Sequence, residues 1–272
     1  MRRAHLLIRH EPHYRREAFA AGLQACGYQV AGYPRERARP GDLLVMWNRY
    51  GANHALAERF EAAGGVVLVA ENGLMGRDSP GGPWYSLFRG APAGAGWSPE
   101  GPADRWFAQG WTLAPWRDMP AGDVLILAQR GIGPPGVAQP HGWHRDIARR
   151  LAHWGRVRIR EHPGERPALP LADDLANVRA VVTWASAAAL KAMAAGVPVF
   201  YGFRNWIGKG CGQWLDDATI RGPCAPVFPD RTATCGLVGW ATWTTRELST
   251  GQPFRHVLGW PSTASPTITD HA

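Results

Sequence analysis

Lysine is almost missing from this chain. Of its 30 basic side chains only Lys191 and Lys209 are lysines, so the formal net charge of +8 rests on arginine. Such an excess favours acidic partners, whether the phosphates of a nucleotide, nucleic acid or an anionic glycan, and does not choose among them. Cysteine is sparse too, with Cys26, Cys211, Cys224 and Cys235 widely and irregularly spaced. There is no C-x-x-C pair and no regular Cys/His interval, which argues for reduced thiols and against a zinc site. His141 and His144 lack a neighbouring carboxylate cluster, so no metal is expected there either. No apolar run reaches the roughly 20 residues of a membrane span; the longest are Val66 to Ala70 and the interrupted stretch from Ala185 to Phe200. The apolar run after Met1-Arg2-Arg3 soon meets Arg9, His10 and Glu11, too early for a signal peptide, and a cytoplasmic location is the expectation. Residues 131–136, GIGPPG, do not form a dinucleotide fingerprint, because proline removes N–H donors where a pyrophosphate needs them. A D-x-D motif of the metal-using transferases is absent as well.

What is present is alternation. HLLIRH (5–10) reads as a strand, YRREAFAAGLQACGY as a helix with Phe19, Leu23 and Cys26 at helical spacing, and Gln29 to Tyr33 as a second short strand. DLLVMWN (42–48), the helix HALAERFEAAGG and the strand GVVLVAENG (65–73) continue the series, and strands joined by helices imply a parallel sheet. From Met75 to Trp116 glycine, proline and tryptophan take over, and residues 76–102 read as one long irregular loop. A second series follows: GDVLILAQR (122–130), HRDIARRLAHWG, RVRIREHPG (156–164), VRAVVTWAS (178–186), AAALKAMAAG and VPVFYG (197–202). The fold expected is α/β, with two Rossmann-like units of residues 1–118 and 119–260 facing across a cleft, and a disordered tail at 261–272. A single helix is expected around Gly236 to Leu248.

In open parallel sheets, ligands gather at the carboxyl ends of strands, where loops converge and helix N-termini point N–H groups at anions. These ends carry His10, Glu11, Asn48 and Glu71-Asn72-Gly73 in the first series. In the second they carry Gln129-Arg130, Arg160-Glu161-His162-Pro163 and Thr183 to Ser186. REHPG followed about 20 residues later by TWASAAALKAMAAGVPVF resembles the donor half of GT-B glycosyltransferases. The likeness is to the capsular-polysaccharide, Kdo-transferase type and to related bacteriophage glycosyltransferases. VLVAENGLMGRD and GWATWTTRELSTGQPF resemble further segments of the same proteins, so the likeness extends over most of the chain.

That resemblance implies a cytoplasmic enzyme, in a phage's host if phage-encoded, that moves a sugar from a nucleotide-sugar donor, with UDP-sugar the leading donor and no metal required. It implies that Arg160, His162 and Ser186 contact the donor phosphates, a role that arginine, imidazole and a hydroxyl at a helix start can fill. Arg130, ahead of GIGPPG, is a further phosphate candidate. Lys191 stands where the family carries a ribose-binding glutamate, and an ammonium cannot accept ribose hydroxyls; it is assigned to a phosphate or a sugar acid. Glu71 is the leading general base, with Asp78 in reserve.

Each assignment has a plainer counterpart. Glu71 could cap the next turn, Ser186 could serve only as an N-cap, the His162 imidazole could satisfy backbone groups, and Arg130 could be surface charge. Trp84, Trp97, Trp106, Trp111 and Trp116 either stack on sugars and bases or pin the glycine-rich loop, and pinning is the expectation. For the acceptor, the basic charge and phage likeness favour a 5-hydroxymethylpyrimidine such as 5-hydroxymethylcytosine in double-stranded DNA, with a lipopolysaccharide or capsule sugar as the alternative. A non-catalytic nucleic-acid-binding protein of GT-B shape is the alternative from another class.

Overall fold

Each alternating series builds its own sheet. The computed structural model describes residues 2–79, 81–92, 94–96, 101–164 and 170–259. The first series runs β1 (Arg3–Leu7), α1 (Arg16–Ala25), β2 (Gln29–Ala31), β3 (Leu43–Trp47), α2 (Gly51–Ala62), β4 (Val66–Asn72) and β5 (Trp84–Arg89). A short α3 (Asp104–Ala108) leads to the second: β6 (Asp123–Leu127), α4 (Trp143–Arg150), β7 (Val157–Arg160), α5 (Leu171–Asp174), β8 (Val178–Thr183), α6 (Ala187–Ala194), β9 (Val199–Tyr201) and β10 (Gln213–Trp214). The chain closes with α7 (Asp217–Arg221), α8 (Thr232–Ala241), β11 (Thr242–Thr244), α9 (Thr245–Thr250) and α10 (Gln252–Leu258).

The second sheet, in the order β10-β9-β8-β6-β7, is parallel throughout, as expected. The first, β11-β5-β4-β3-β1-β2, is parallel only from β4 to β2; β5 and β11 run antiparallel at its other side. Two sequence expectations are corrected here. Residues 76–102 are not one irregular loop, because WYSLFR forms β5, with five of its six residues buried. A strand buried on both faces shows no alternation to read, and its glycine-rich flanks masked it. The stretch from Gly236 to Leu248 is not one helix but α8, β11 and α9, because Thr244 and Glu247 form a capping box that begins a new helix after the strand.

Tryptophan pins the intervening segment, as expected. Trp84, Trp106 and Trp111 are buried together, with ring centroids 5.3 Å apart for Trp84–Trp111 and 5.1 Å for Trp106–Trp111. Trp116 donates its Nε1–H to the carbonyl of Pro229 at 3.0 Å. Trp97 and residues 261–272 lie outside the described residues. One apolar cluster runs from Leu74, Trp84 and Phe88 beside the first sheet to Leu125, Leu127 and Leu190 of the second series, so the two sheets share buried surface.

After α8 the chain returns to the first sheet: β11 pairs with β5, and α9 packs on α1. Arg105 of α3 ties down this return, meeting Glu247 at 2.7 Å, donating to the carbonyl of Gly239 at 2.8 Å and lying 4.2 Å from the Trp243 ring centroid. Gly22 permits the approach of α1 to α9, since a Cβ there would lie 1.9 Å from the Leu248 carbonyl oxygen. Gly22→Ala is therefore expected to destabilise the protein by about 1–3 kcal/mol, the usual cost of overpacking. Urea denaturation checks this, and an unchanged midpoint would refute so tight a contact.

Candidate functional site

In the second sheet the chain steps from β6 to β7 on one side and from β7 back past β6 to β8 on the other, so β6 and β8 flank a topological switch point. Their carboxyl ends diverge there, and the loops leave a crevice. A cavity of about 470 Å³ occupies this place and is also lined by the ends of β3 and β4, through Asn48, Glu71 and Asn72. A larger cavity of about 760 Å³ lies at the other, amino-terminal ends of β3 and β4, beside Leu43 and Val66. Its buried Arg49 is already satisfied by Glu61 in a two-pronged pair at 2.8 and 2.9 Å.

Of the site residues expected from sequence, Glu71, Arg130, Arg160, His162, Ser186 and Lys191 all line the 470 Å³ cavity. Asp78 does not; it is exposed and paired with Arg77 at 3.0 Å. His10 and Glu11 are also absent from the lining.

Each side chain is set by its element. β7 is an edge strand whose alternate arginines share one face. Arg158 pairs with Asp123 at 2.7 Å and with Asp174 at 3.2 Å, and Arg160 pairs with Asp174 at the strand's end. Asp174 thereby orients the Arg160 guanidinium, which carries five donors and can serve more than one acceptor. Two residues on, the His162 Nδ1 accepts from the Gly164 N–H at 2.9 Å. A neutral imidazole so engaged carries its proton on Nε2, which makes that nitrogen a donor to an anion. Burial, and then the charge of Arg130, hold the His162 pKa below its ordinary value, so this neutral form prevails at pH 7. The backbone reading of His162 thus holds for one ring nitrogen and leaves the other for a ligand.

Ser186 is the N-cap of α6: its Oγ accepts from the Ala188 N–H at 3.2 Å, and its own N–H donates to Thr183 Oγ1 at 3.0 Å. The cap satisfies one backbone donor and leaves the hydroxyl proton to donate outward. Sequence reasoning listed Gln129 only as a strand end and missed Gln139. The buried Gln139 accepts from the Gln129 N–H at 3.1 Å, and Gln129 Oε1 accepts from the Ala185 N–H at 2.7 Å, which binds the loop after β6 to the start of α6. Nothing in local spacing announces this link, since Gln129 and Ala185 are 56 residues apart. Asn48 is also special, with a left-handed φ of 62° at the end of β3, a conformation unusual outside glycine and often found at functional sites.

Glu71 lines the same cavity from the end of β4 in the first sheet. Ala70 packs into the α1 side of the first sheet, so strand alternation turns Glu71 to the other face, at the rim of the cavity. Burial alone pushes its pKa up from 4.5 to about 7. No hydrogen bond or ion pair to its carboxyl occurs among the described residues, which removes the turn-capping alternative within that set. Lys191 is held below its ordinary pKa by burial first and by Arg160 second. The cavity therefore combines a cationic wall with a carboxyl whose proton is poised near neutrality, an arrangement suited to binding an anion and removing a proton beside it. Among the described residues no three His, Cys, Asp or Glu side chains are grouped to hold a metal ion. No helix among them is long and apolar enough to cross a membrane.

No protein-family model matches the chain, and no curated protein matches it by sequence. Solved structures share its fold, two of KpsC among them. Thermosulfurimonas dismutans KpsC, in a structure described as the beta Kdo 2,4 transferase, superposes with a TM-score of 0.53 at 14% identity, covering 88% of this chain and 91% of that one. A second, described as the beta Kdo 2,7 transferase, gives a TM-score of 0.52 at 12% identity over 86% of this chain and 94% of that one.

Proposed function

We propose that this chain is a glycosyltransferase that moves a sugar from a nucleotide-sugar donor to a hydroxyl of a saccharide acceptor, such as a capsule or lipopolysaccharide sugar. The observation that carries this reading is the 470 Å³ cavity, lined by Arg130, Arg160, His162, Ser186 and Lys191 from the second series and by Glu71 from the first. The shared fold with two Kdo transferases supports it. In this reading the two sheets form the two halves of a GT-B arrangement that meet at the cavity. Residues 1–118 and the return from Thr242 make up the acceptor half, and residues 119 to 241 the donor half.

The Glu71 carboxylate takes the proton of the acceptor hydroxyl as its oxygen bonds to the anomeric carbon of the donor sugar. The bond from that carbon to the donor phosphate oxygen breaks, and the phosphate leaves with the electron pair. Arg160, Lys191, the His162 Nε2–H and the Ser186 hydroxyl meet the charge that develops on it. Asp78 has no part in this scheme. The donor class is a nucleotide sugar, and a saccharide acceptor replaces the hydroxymethylpyrimidine favoured by charge and phage likeness, since both fold relatives are named as transferases of the sugar Kdo.

A panel of UDP-, GDP- and CMP-sugars tests the donor site through thermal unfolding. A bound donor at 100 times its dissociation constant stabilises by about 2.7 kcal/mol, a clear rise in Tm. Mass spectrometry of a lipo-oligosaccharide acceptor incubated with the stabilising donor then reads the transfer. The net charge of +8 also favours duplex DNA binding. If no nucleotide sugar raises Tm and DNA affinity falls steeply with salt, the nucleic-acid reading replaces the present one.

A further inference from the structure

Lys191 belongs to the second sheet's α6, yet its ammonium sits against the first sheet's turn. A Cβ placed on Gly76 would lie 2.7 Å from Lys191 Nζ and 3.4 Å from its Cε. Gly76 has a φ of +96°, which disfavours any side chain, so the turn presents bare backbone to the lysine. This turn begins directly after Glu71 and Asn72. It is closed by its own hydrogen bonds, from the Gly73 N–H to the Trp84 carbonyl at 2.8 Å, from Gly76 to Gly73 at 2.8 Å and from Trp84 to Arg77 at 2.8 Å. Ser79 Oγ adds a bond to the Met75 carbonyl. A turn so constrained moves as a piece and carries the end of β4 with it.

Among the described residues no carboxylate pairs with the ammonium. The one charged group of the described residues that bears on it is Arg160, and that interaction is repulsive. Asp174 is already engaged by Arg158 and Arg160. A half-buried ammonium crowded by a guanidinium gains most from an anion placed between the two. Such an anion draws on Lys191 from the donor side, while the lysine's tip remains packed on the turn that leads from Glu71.

We propose that Lys191 is a positioning residue that couples occupancy of the anion site to the 73–79 turn, so that a bound phosphate group fixes the turn, and with it Glu71, relative to the donor. Gly76 is the partner this role requires, because any larger residue pushes the ammonium off the turn. The proposal rests on the anion-site reading above.

Inorganic pyrophosphate serves as the probe, with calorimetry reporting binding and hydrogen-exchange mass spectrometry reporting the turn. In the native chain, saturating pyrophosphate is expected to slow exchange of the 73–79 amides about five- to tenfold, the lower range of ordinary coupling between sites. Lys191→Met is expected to keep binding, weakened about tenfold for the lost charge–charge contact, and to abolish the slowing. Gly76→Ala retains the charge but displaces the ammonium; it is expected to bind pyrophosphate and likewise show no slowing. Slowing of native size in either variant with pyrophosphate bound overturns the proposal, as does binding by the native chain with the turn unaffected. Absence of any binding by the native chain is a different failure, that of the anion site itself, and takes the coupling with it.

Discussion

Glutamine in place of Glu71 is expected to cut turnover by a factor of about a hundred to ten thousand, the range a positioned general base contributes, with donor affinity changed by less than about threefold. The carboxyl comes from the first sheet and none of the cations pairs with it among the described residues, so removing its charge leaves the phosphate contacts in place. A glutamine amide matches the shape but cannot accept the acceptor's proton at neutral pH. Burial raises the Glu71 pKa to about 7, so the native enzyme's kcat/KM is expected to climb with pH up to about 7 and then level off. The variant's residual rate should lack that limb. A variant with native turnover removes Glu71 from the chemistry.

The same raised pKa has a signed effect on stability. Between pH 4.5 and about 7 the folded protein holds a proton on Glu71 that the unfolded chain has released. Where the native state binds more protons, stability falls as pH rises, so this contribution is present below pH 4.5 and is lost by the time pH passes about 7. Glu71→Gln abolishes the loss. At pH 8 the variant is expected to be more stable than the native protein by about 1–3 kcal/mol, less than the whole shift converts to because the carboxyl keeps some contact with water. Urea midpoints at pH 5 and pH 8 check the sign: the gap between variant and native should open on the alkaline side. Loss of activity coupled to a gain in stability is what separates a functional carboxyl from a structural one.

Arg160→Met is expected to raise the dissociation constant for the donor, or for pyrophosphate, by roughly a hundredfold, the worth of a charge-assisted, two-pronged contact to phosphate. The fold should bear the change, since Asp174 keeps its pair with Arg158 at 3.2 Å and is not left as an isolated buried charge. The expected stability loss is below about 2 kcal/mol. Calorimetric titration measures the first quantity and denaturation the second. An affinity within threefold of native would place the phosphate elsewhere in the cavity. A large stability loss with unchanged affinity would make Arg160 a purely structural partner of Asp174.

The legible part of this site came from local order. β6, β7, β8 and α6 lie where runs of apolar residues, the Arg-Glu-His-Pro ending and the serine before a small-residue helix place them, because strand formation and N-capping are decided by neighbours within a few residues. The polar strand ends that these elements imply do converge: six of the seven expected site residues line one cavity. Asp78 stays outside that cavity, exposed and paired with Arg77 beside it. Gln139 escaped because its partners are set by the fold of the loop and not by spacing.

By itself, then, the amino-acid order determined the two alternating series, the parallel core of each sheet and the chemical character of the strand ends, all of which follow from periodicity and short-range hydrogen bonding. Only the tertiary structure decided that WYSLFR is a strand, that Thr242–Thr244 crosses back to pair with it, and that Lys191 reaches Gly76. The first depends on pairing with β4 as well as β11, and the other two on contacts between residues more than a hundred positions apart, whose favourable energy appears only once the chain has closed the intervening loops. No local pattern records them.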